Sequence, residues 1–180
     1  MSDMNILPQR SFAHDFVPAE FRRADEHDLR NQQVGLAADH WRVLTTEEID
    51  VLVKNGNTAE DWRLLRVAEG FNAHHVKQCE FYGLVRIGRI GDVSLEYHDL
   101  AVPVGLTHSR IVACDVGDDA AIHNVRYLAH TIIGDNCMLL NIDEFHTTNH
   151  AKFGNGIVKD GEDPAARVWL DVGNEAGGRS

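Results

Sequence analysis

Five of the chain's eleven histidines fall between residues 108 and 150: His108, His123, His130, His146 and His150. An imidazole has an unperturbed pKa near neutrality, so a well-placed one takes a proton from a hydroxyl or amine at working pH. That makes each of them a candidate general base. His146 and His150 bracket "HTTNH" (146–150), a pair that suggests a metal. Zinc, however, asks for three or four ligands at about 2.0–2.1 Å, and spacing names no third. Histidines on an exposed loop are the alternative. Cys79, Cys114 and Cys137 are scattered and never form a CxxC pair, which speaks against a disulfide framework or a thiolate zinc site. "FGNG" (153–156) lacks the lysine and serine or threonine of a phosphate loop and reads as a tight turn. "NEAGGR" (174–179) either offers Glu175 and Arg179 to a ligand or is a flexible glycine-rich end.

The elements that must position these residues repeat. Shifting the chain by 17 residues lays Val116-Gly117-Asp118 on Ile133-Gly134-Asp135. The same shift puts Ala120 on Cys137, Ile122 on Leu139, Asn124 on Asn141, Val125 on Ile142, Leu128 on Phe145 and Thr131 on Thr148. Large apolar residues recur about every six: Val116, Ile122, Leu128, then Ile133, Leu139, Phe145. Three six-residue strands per turn make a triangular coil with one large apolar side chain per face pointing inward. The small fifth residue leaves room for it, which places Cys114 and Cys137 as core thiols rather than nucleophiles. Glycine, aspartate and asparagine are expected at the corners because they tolerate the turn conformation. Stacked copies predict an asparagine ladder from Asn124 to Asn141. Each coil buries its apolar face only against its neighbours.

Upstream, "TTEEIDVLVKNG" places Thr45 three residues before Glu48, a capping box, and Asn55-Gly56 supplies the stop. Thr58 and Asp61 repeat the start signal ahead of "AEDWRLLRV", and "NAHHVKQ" (72–78) reads as a further helical turn. These signals predict a helical cap over 39–78, preceded by a polar arm over 1–38. Within that arm, "PAEFRRADEHDLRNQ" (18–32) is either a short helix starting at Pro18 or loosely attached. From Cys79 onward "CEFYGLVRIGRIGDVSLEYHDLAVPVGL" alternates apolar and polar residues with frequent glycine, the pattern of strands and turns.

Composition narrows the partners. Lysine and arginine total 17 against 28 acidic residues, a formal charge of −11, with no basic cluster. Nucleic acid and anionic membrane surfaces are therefore poor partners. Nothing approaches the roughly 20 apolar residues of a membrane span. The N-terminus lacks the basic flank and apolar run of a signal peptide, so the expected location is the cytoplasm.

These motifs, in order, carry a resemblance. "LTTEEIDVLVKNGNTAEDW", "CEFYGLVRIG", "IHNV", "IGDN", "FGNG" and "NEAGGR" make the run from Trp41 to Arg179 resemble the N-terminal part of an uncharacterised bacterial family. That family consists of left-handed parallel β-helix (hexapeptide-repeat) proteins. The resemblance implies a mainly β fold: a left-handed parallel β-helix of a few coils over 79–180, behind a short α-helical preface. It also implies further coils or domains beyond Ser180. Proteins of this fold are frequently trimeric acyltransferases with the active site in the cleft between subunits. "LAHTI" (128–132) is similar to the "IAHD"-type segment that carries the catalytic histidine of sugar-nucleotide acyltransferases. On that reading His130 is the general base, Asn124, Asn141 and His123 bind substrate, and acyl-CoA or an acyl carrier protein is the donor. The sequence departs from the pattern in that no acid follows His130 directly. Two further functions stay open. One is a non-catalytic assembly or regulatory module; the other is a zinc hydratase like the γ-class carbonic anhydrases, with His146 and His150 as ligands.

Overall fold

A computed structural model describes residues 27, 30, 31 and 34–147. The chain divides into two compact units, Met1–Asn149 and His150–Ser180, and every described residue belongs to the first. The described fold is mainly β, with one complete α-helix and a few 3-10 turns.

Fourteen of the sixteen described strands fall into three ladders. The first contains β1 (Arg42–Val43), β3 (Leu65–Val67), β6 (Val85–Ile87), β11 (Asp115–Val116) and β14 (Ile132–Ile133). The second contains β2 (Thr58–Ala59), β5 (Glu80–Tyr82), β10 (Arg110–Val112), β13 (Leu128–Ala129) and β16 (Phe145–His146). The third contains β4 (Val76–Lys77), β9 (Gly105–Thr107), β12 (Ala121–Val125) and β15 (Met138–Ile142). All pairings inside these ladders are parallel except that of β1 with β3. From β4 onward, successive strands enter the third, second and first ladders in rotation. The remaining two strands, β7 (Ser94–Tyr97) and β8 (Leu100–Pro103), form an antiparallel ribbon inserted between β6 and β9.

At the C-terminal end of each ladder the register takes the 17-residue step. Asp115 pairs with Ile132, Ile122 with Leu139, and Leu128 with Phe145. The result is one contiguous core: Val116, Ile122, Leu128 and Ile133 are buried, beneath Leu65, Val76, Phe81, Ile87, Leu106 and Ile111 from earlier strands. On the last described set of strands, Leu139 is half-buried and Phe145 exposed.

The helix, α1 (Thr46–Lys54), forms as the capping box dictates. The Thr45 hydroxyl accepts from the Glu48 amide at 3.2 Å, and the Glu48 carboxylate accepts from the Thr45 amide at 2.8 Å. Arg42 adds two bonds to the same carboxylate, at 2.8 and 2.9 Å. It holds that carboxyl below the usual glutamate range. A depressed carboxyl stabilises the fold above the ordinary glutamate pKa near 4.3 and ceases to do so as pH falls through its own lower value. Glu48→Gln is therefore expected to cost about 1 kcal/mol at neutral pH, with the deficit shrinking as the melt is repeated below about pH 4.

Two of the expected helices are replaced by shorter turns. "AEDWRLLRV" forms only a 3-10 turn at Trp62–Leu64 before entering β3. "NAHHVKQ" likewise turns once at Ala73–His75 and enters β4. The start signals are genuine, since Asp61 and Asn72 accept from the Arg63 and His74 amides at 2.9 and 3.0 Å. They are overridden by burial of Leu65, Val67 and Val76, which sit as strand residues over the core. Parallel pairing therefore begins at Thr58, upstream of Cys79. α1 contacts the Ala73–His75 turn, whose strand β4 ends its ladder. The buried Leu52 of α1 belongs to the same core. Asn57 joins helix to ladder, donating to the carbonyls of Leu52 and Val76 at 2.8 Å each.

Within the stretch expected as a polar arm, Arg30 and Asn31 are helical and buried. The role expected of the glycines also changes. Gly117 and Gly134 do not adopt positive φ. A Cβ on Gly117 would stand 2.6 Å from the Gly134 carbonyl carbon and 2.7 Å from the Asp135 amide nitrogen. Close approach of the next strand, not a left-handed turn, is what requires glycine there.

Candidate functional site

The left-handed corner conformation falls on the expected asparagine, aspartate and glycine at Asn124, Asn136, Asn141, Asp119 and Gly83, and also on residues not expected there. Gln78, His108, Asn124 and Asn141 come directly after Lys77, Thr107, His123 and Leu140, which pair across the third ladder. All four have φ between 50° and 56°. A second corner column holds Gly83, Ala113 and His130, with φ of 63°, 48° and 54°. Asparagine adopts this region at little cost, whereas histidine, glutamine and alanine do so less readily.

Each candidate substrate-binding residue bonds to a neighbouring strand or turn. Asn124 donates from Nδ2 to Asn141 Oδ1 at 2.9 Å, the expected ladder. His123 has both ring nitrogens engaged. Nε2 lies 2.8 Å from the Pro103 carbonyl, which can only accept, so Nε2 carries the proton. Nδ1 then accepts from the Thr107 hydroxyl at 2.8 Å. The imidazole pins the end of β8 to β9 and β12. Aspartates do the same between strands: Asp118 accepts from the Arg89 amide at 2.8 Å, and Asp135 from the Asp118 amide at 2.7 Å.

His130 is half-buried, and its backbone is held from both sides. Its amide donates to the Val112 carbonyl at 3.0 Å, and its carbonyl accepts from the Thr147 hydroxyl. Its Nδ1 is shielded from solvent.

Beside the first corner column lies an open groove of about 1110 Å³. Its walls include His108, Arg110, Arg126, Tyr127, Asp143 and His146, and His130 is not among them. The charges pair with one another: Arg110 with Glu80 at 2.9 Å, Arg126 with Asp143 at 3.2 Å, and His146 with Glu144 at 3.1 Å. Arg110 holds the Glu80 carboxyl below its usual range, and burial pushes the Tyr127 hydroxyl up. Exposed pairs of this kind are screened and contribute little.

The thiols behave as core atoms. Cys79 and Cys114 are fully buried; burial pushes Cys79 up to about 12 and Cys114 upward too. Cys137 is half-buried against the core. Among the described residues no three histidine, cysteine or acidic side chains are grouped to hold a metal. His150, "FGNG", Glu175 and Arg179 lie outside the described residues.

One constellation forms no motif in the sequence. Arg86 is completely buried and bonds Asp115 through Nε, at 2.7 Å to Oδ1, and through Nη2 to Oδ2. Arg30 reaches the same Asp115 Oδ1 at 3.0 Å. Arg86 and Asp115 are partners across β6 and β11. Their only trace along the chain is one charge inside each of two apolar runs, "GLVRIG" and "VACDVG".

These features define a mainly β protein of parallel ladders whose polar side chains are largely bonded to adjacent strands. The chain belongs to the family described as a domain of unknown function (DUF4954), whose model matches residues 41–179. It is 44% identical over 178 residues to an uncharacterized protein of Treponema pallidum (strain Nichols). That alignment covers 98% of this chain and 25% of the relative's length. No solved structure matches. No helix among the described residues is long and apolar enough to cross a membrane.

Proposed function

We propose that the three ladders are the faces of a left-handed parallel β-helix of the hexapeptide-repeat kind, and that this chain is a non-catalytic assembly module of a longer protein. One observation carries the reading: Asn124, Asn141 and His123, the residues expected to meet a substrate, make hydrogen bonds to neighbouring strands, Asn124 and Asn141 to each other and His123 to Thr107 and to the ribbon carbonyl of Pro103. The 17-residue offset shared by the last pairing of each ladder supports the coil geometry. A stack of coils buries its apolar faces only against a neighbour, so its partners are further coils of the same protein or another copy, as a trimer. Sedimentation equilibrium tests the second of these: a trimer with concentration-dependent dissociation supports the module, and a strict monomer removes self-association from it.

A second reading draws on the rigid seat of His130, whose backbone is fixed on both sides. Catalytic groups need such preorganisation. There the imidazole would take the proton of a sugar, sugar-nucleotide or amine acceptor as the acceptor attacks a thioester of coenzyme A or an acyl carrier protein, releasing the thiol. The outcome expected for the module is no acyl transfer from acetyl-CoA to such acceptors. Any transfer that is found and lost in His130→Ala, with the fold intact by circular dichroism, establishes the enzyme instead. Zinc held by His146 and His150 is the third reading, and metal analysis of the purified protein decides it.

A further inference from the structure

We infer that Arg30, Asn31 and residues 34–41 form a strap that undocks from the ladder face as a unit, with Arg30 as its latch on Asp115. The stretch is tied down by side chains. Backbone bonds within it are local, Leu36 amide to Asn31 carbonyl and His40 amide to Ala37 carbonyl, both at 3.1 Å. The ties to the ladder are polar. Arg30 Nη1 donates to the Leu84 carbonyl at 2.8 Å and to Asp115 at 3.0 Å. Arg86 Nη1 donates to Asn31 Oδ1 at 2.6 Å, and its guanidinium lies 4.9 Å over the Trp41 ring.

Three features weaken this docking. Buried charges forgo hydration that water restores on opening. Two sealed donors, Asn31 Nδ2 and Trp41 Nε1, find no acceptor among the described residues while the strap is closed, and buried donors without partners favour the open state. A cavity of about 410 Å³ lies beneath, with Val34, Leu36 and Trp41 on one wall and Asp115 and Ile132 on the other. Behind that face the core is built from aliphatic side chains such as Val67, Ile87 and Ile122, with no polar atoms to desolvate. Strap and ladder therefore differ in local stability. Undocking uncovers the outward column of Arg86, Asp115 and Ile132 without breaking any ladder pairing.

Hydrogen exchange of the full chain, read peptide by peptide, tests this. In the wild type the amides of 34–41 should exchange well before those of β12 and β13. Arg30→Met leaves the Arg86–Asp115 pair in place and should raise exchange across 34–41 at least tenfold while β12 and β13 stay unchanged. Arg30→Lys retains the charge but not both bonds, and should fall between. Equal acceleration in strap and ladder would show one cooperative unit and overturn the inference. So would exchange over 34–41 that does not respond to Arg30→Met.

Discussion

Gly117→Ala is expected to lower the unfolding free energy by about 3 kcal/mol, near the upper end of what overpacking costs. The new methyl meets the Gly134 carbonyl carbon and the Asp135 amide nitrogen at 2.6 and 2.7 Å, and the Asp135 carboxylate closer still. Two of these are backbone atoms of the segment that follows β14, so no rotamer change relieves the clash. The strands must separate, and Asp135 then loses its 2.7 Å bond from the Asp118 amide. A urea titration gives the number. Gly134→Ala is the internal control: a methyl there meets only the Cys137 sulfur, at 3.8 Å, and should cost well under half as much. Equal losses at both positions would place the cause in the turn conformation rather than in strand approach.

Asp115→Ala is the second large effect, expected at about 4 kcal/mol, the range for removing one partner of a buried ion pair. The loss strands a guanidinium. Arg86 is fully buried and Arg30 nearly so, and both direct hydrogen bonds at the one carboxylate. Removing it leaves two guanidinium groups without this acceptor, and water reaches them only when the strap over them opens. Thermal melts should show the drop at every pH from about 5 to 9, because an arginine does not titrate there. A change below about 1 kcal/mol would mean that the pair is solvated in the folded protein.

The repeat is legible where successive strands of the three ladders follow without interruption. Ile122 over Leu139 and Leu128 over Phe145 announce themselves through size and spacing, and Asn124 over Asn141 through chemistry. Upstream the same ladders hide. β6 pairs with β11 at a 29-residue offset because the β7–β8 ribbon intervenes, and β3 pairs with β6 at a 20-residue offset. No single shift aligns them, so Gly88 does not stand out along the chain as a column-mate of Gly117 and Gly134. Trp62 and Ala73 come after true N-caps, yet three residues of 3-10 turn satisfy a cap as well as a helix does. Local signals there specify a turn, and only the burial of Leu65 and Val76 makes the next element a strand. The site is less legible still. That His123 ties β12 to the ribbon depends on the Pro103 carbonyl, 20 residues away. That Arg86 has a partner depends on Asp115, 29 residues on.

Asn124 and Asn141 face each other one 17-residue step apart and share a side-chain hydrogen bond. Pairing Asn124→Cys with Asn141→Cys measures this directly. Neighbouring strands lie about 4.8 Å apart, within the Cα separation of about 4.4–6.8 Å that a disulfide spans. Mild oxidation of the folded double variant should give near-complete intramolecular cross-linking with an unchanged or raised melting temperature. If the two cysteines remain free thiols under native conditions, the stacked coil, and with it the assembly role proposed for this chain, is contradicted.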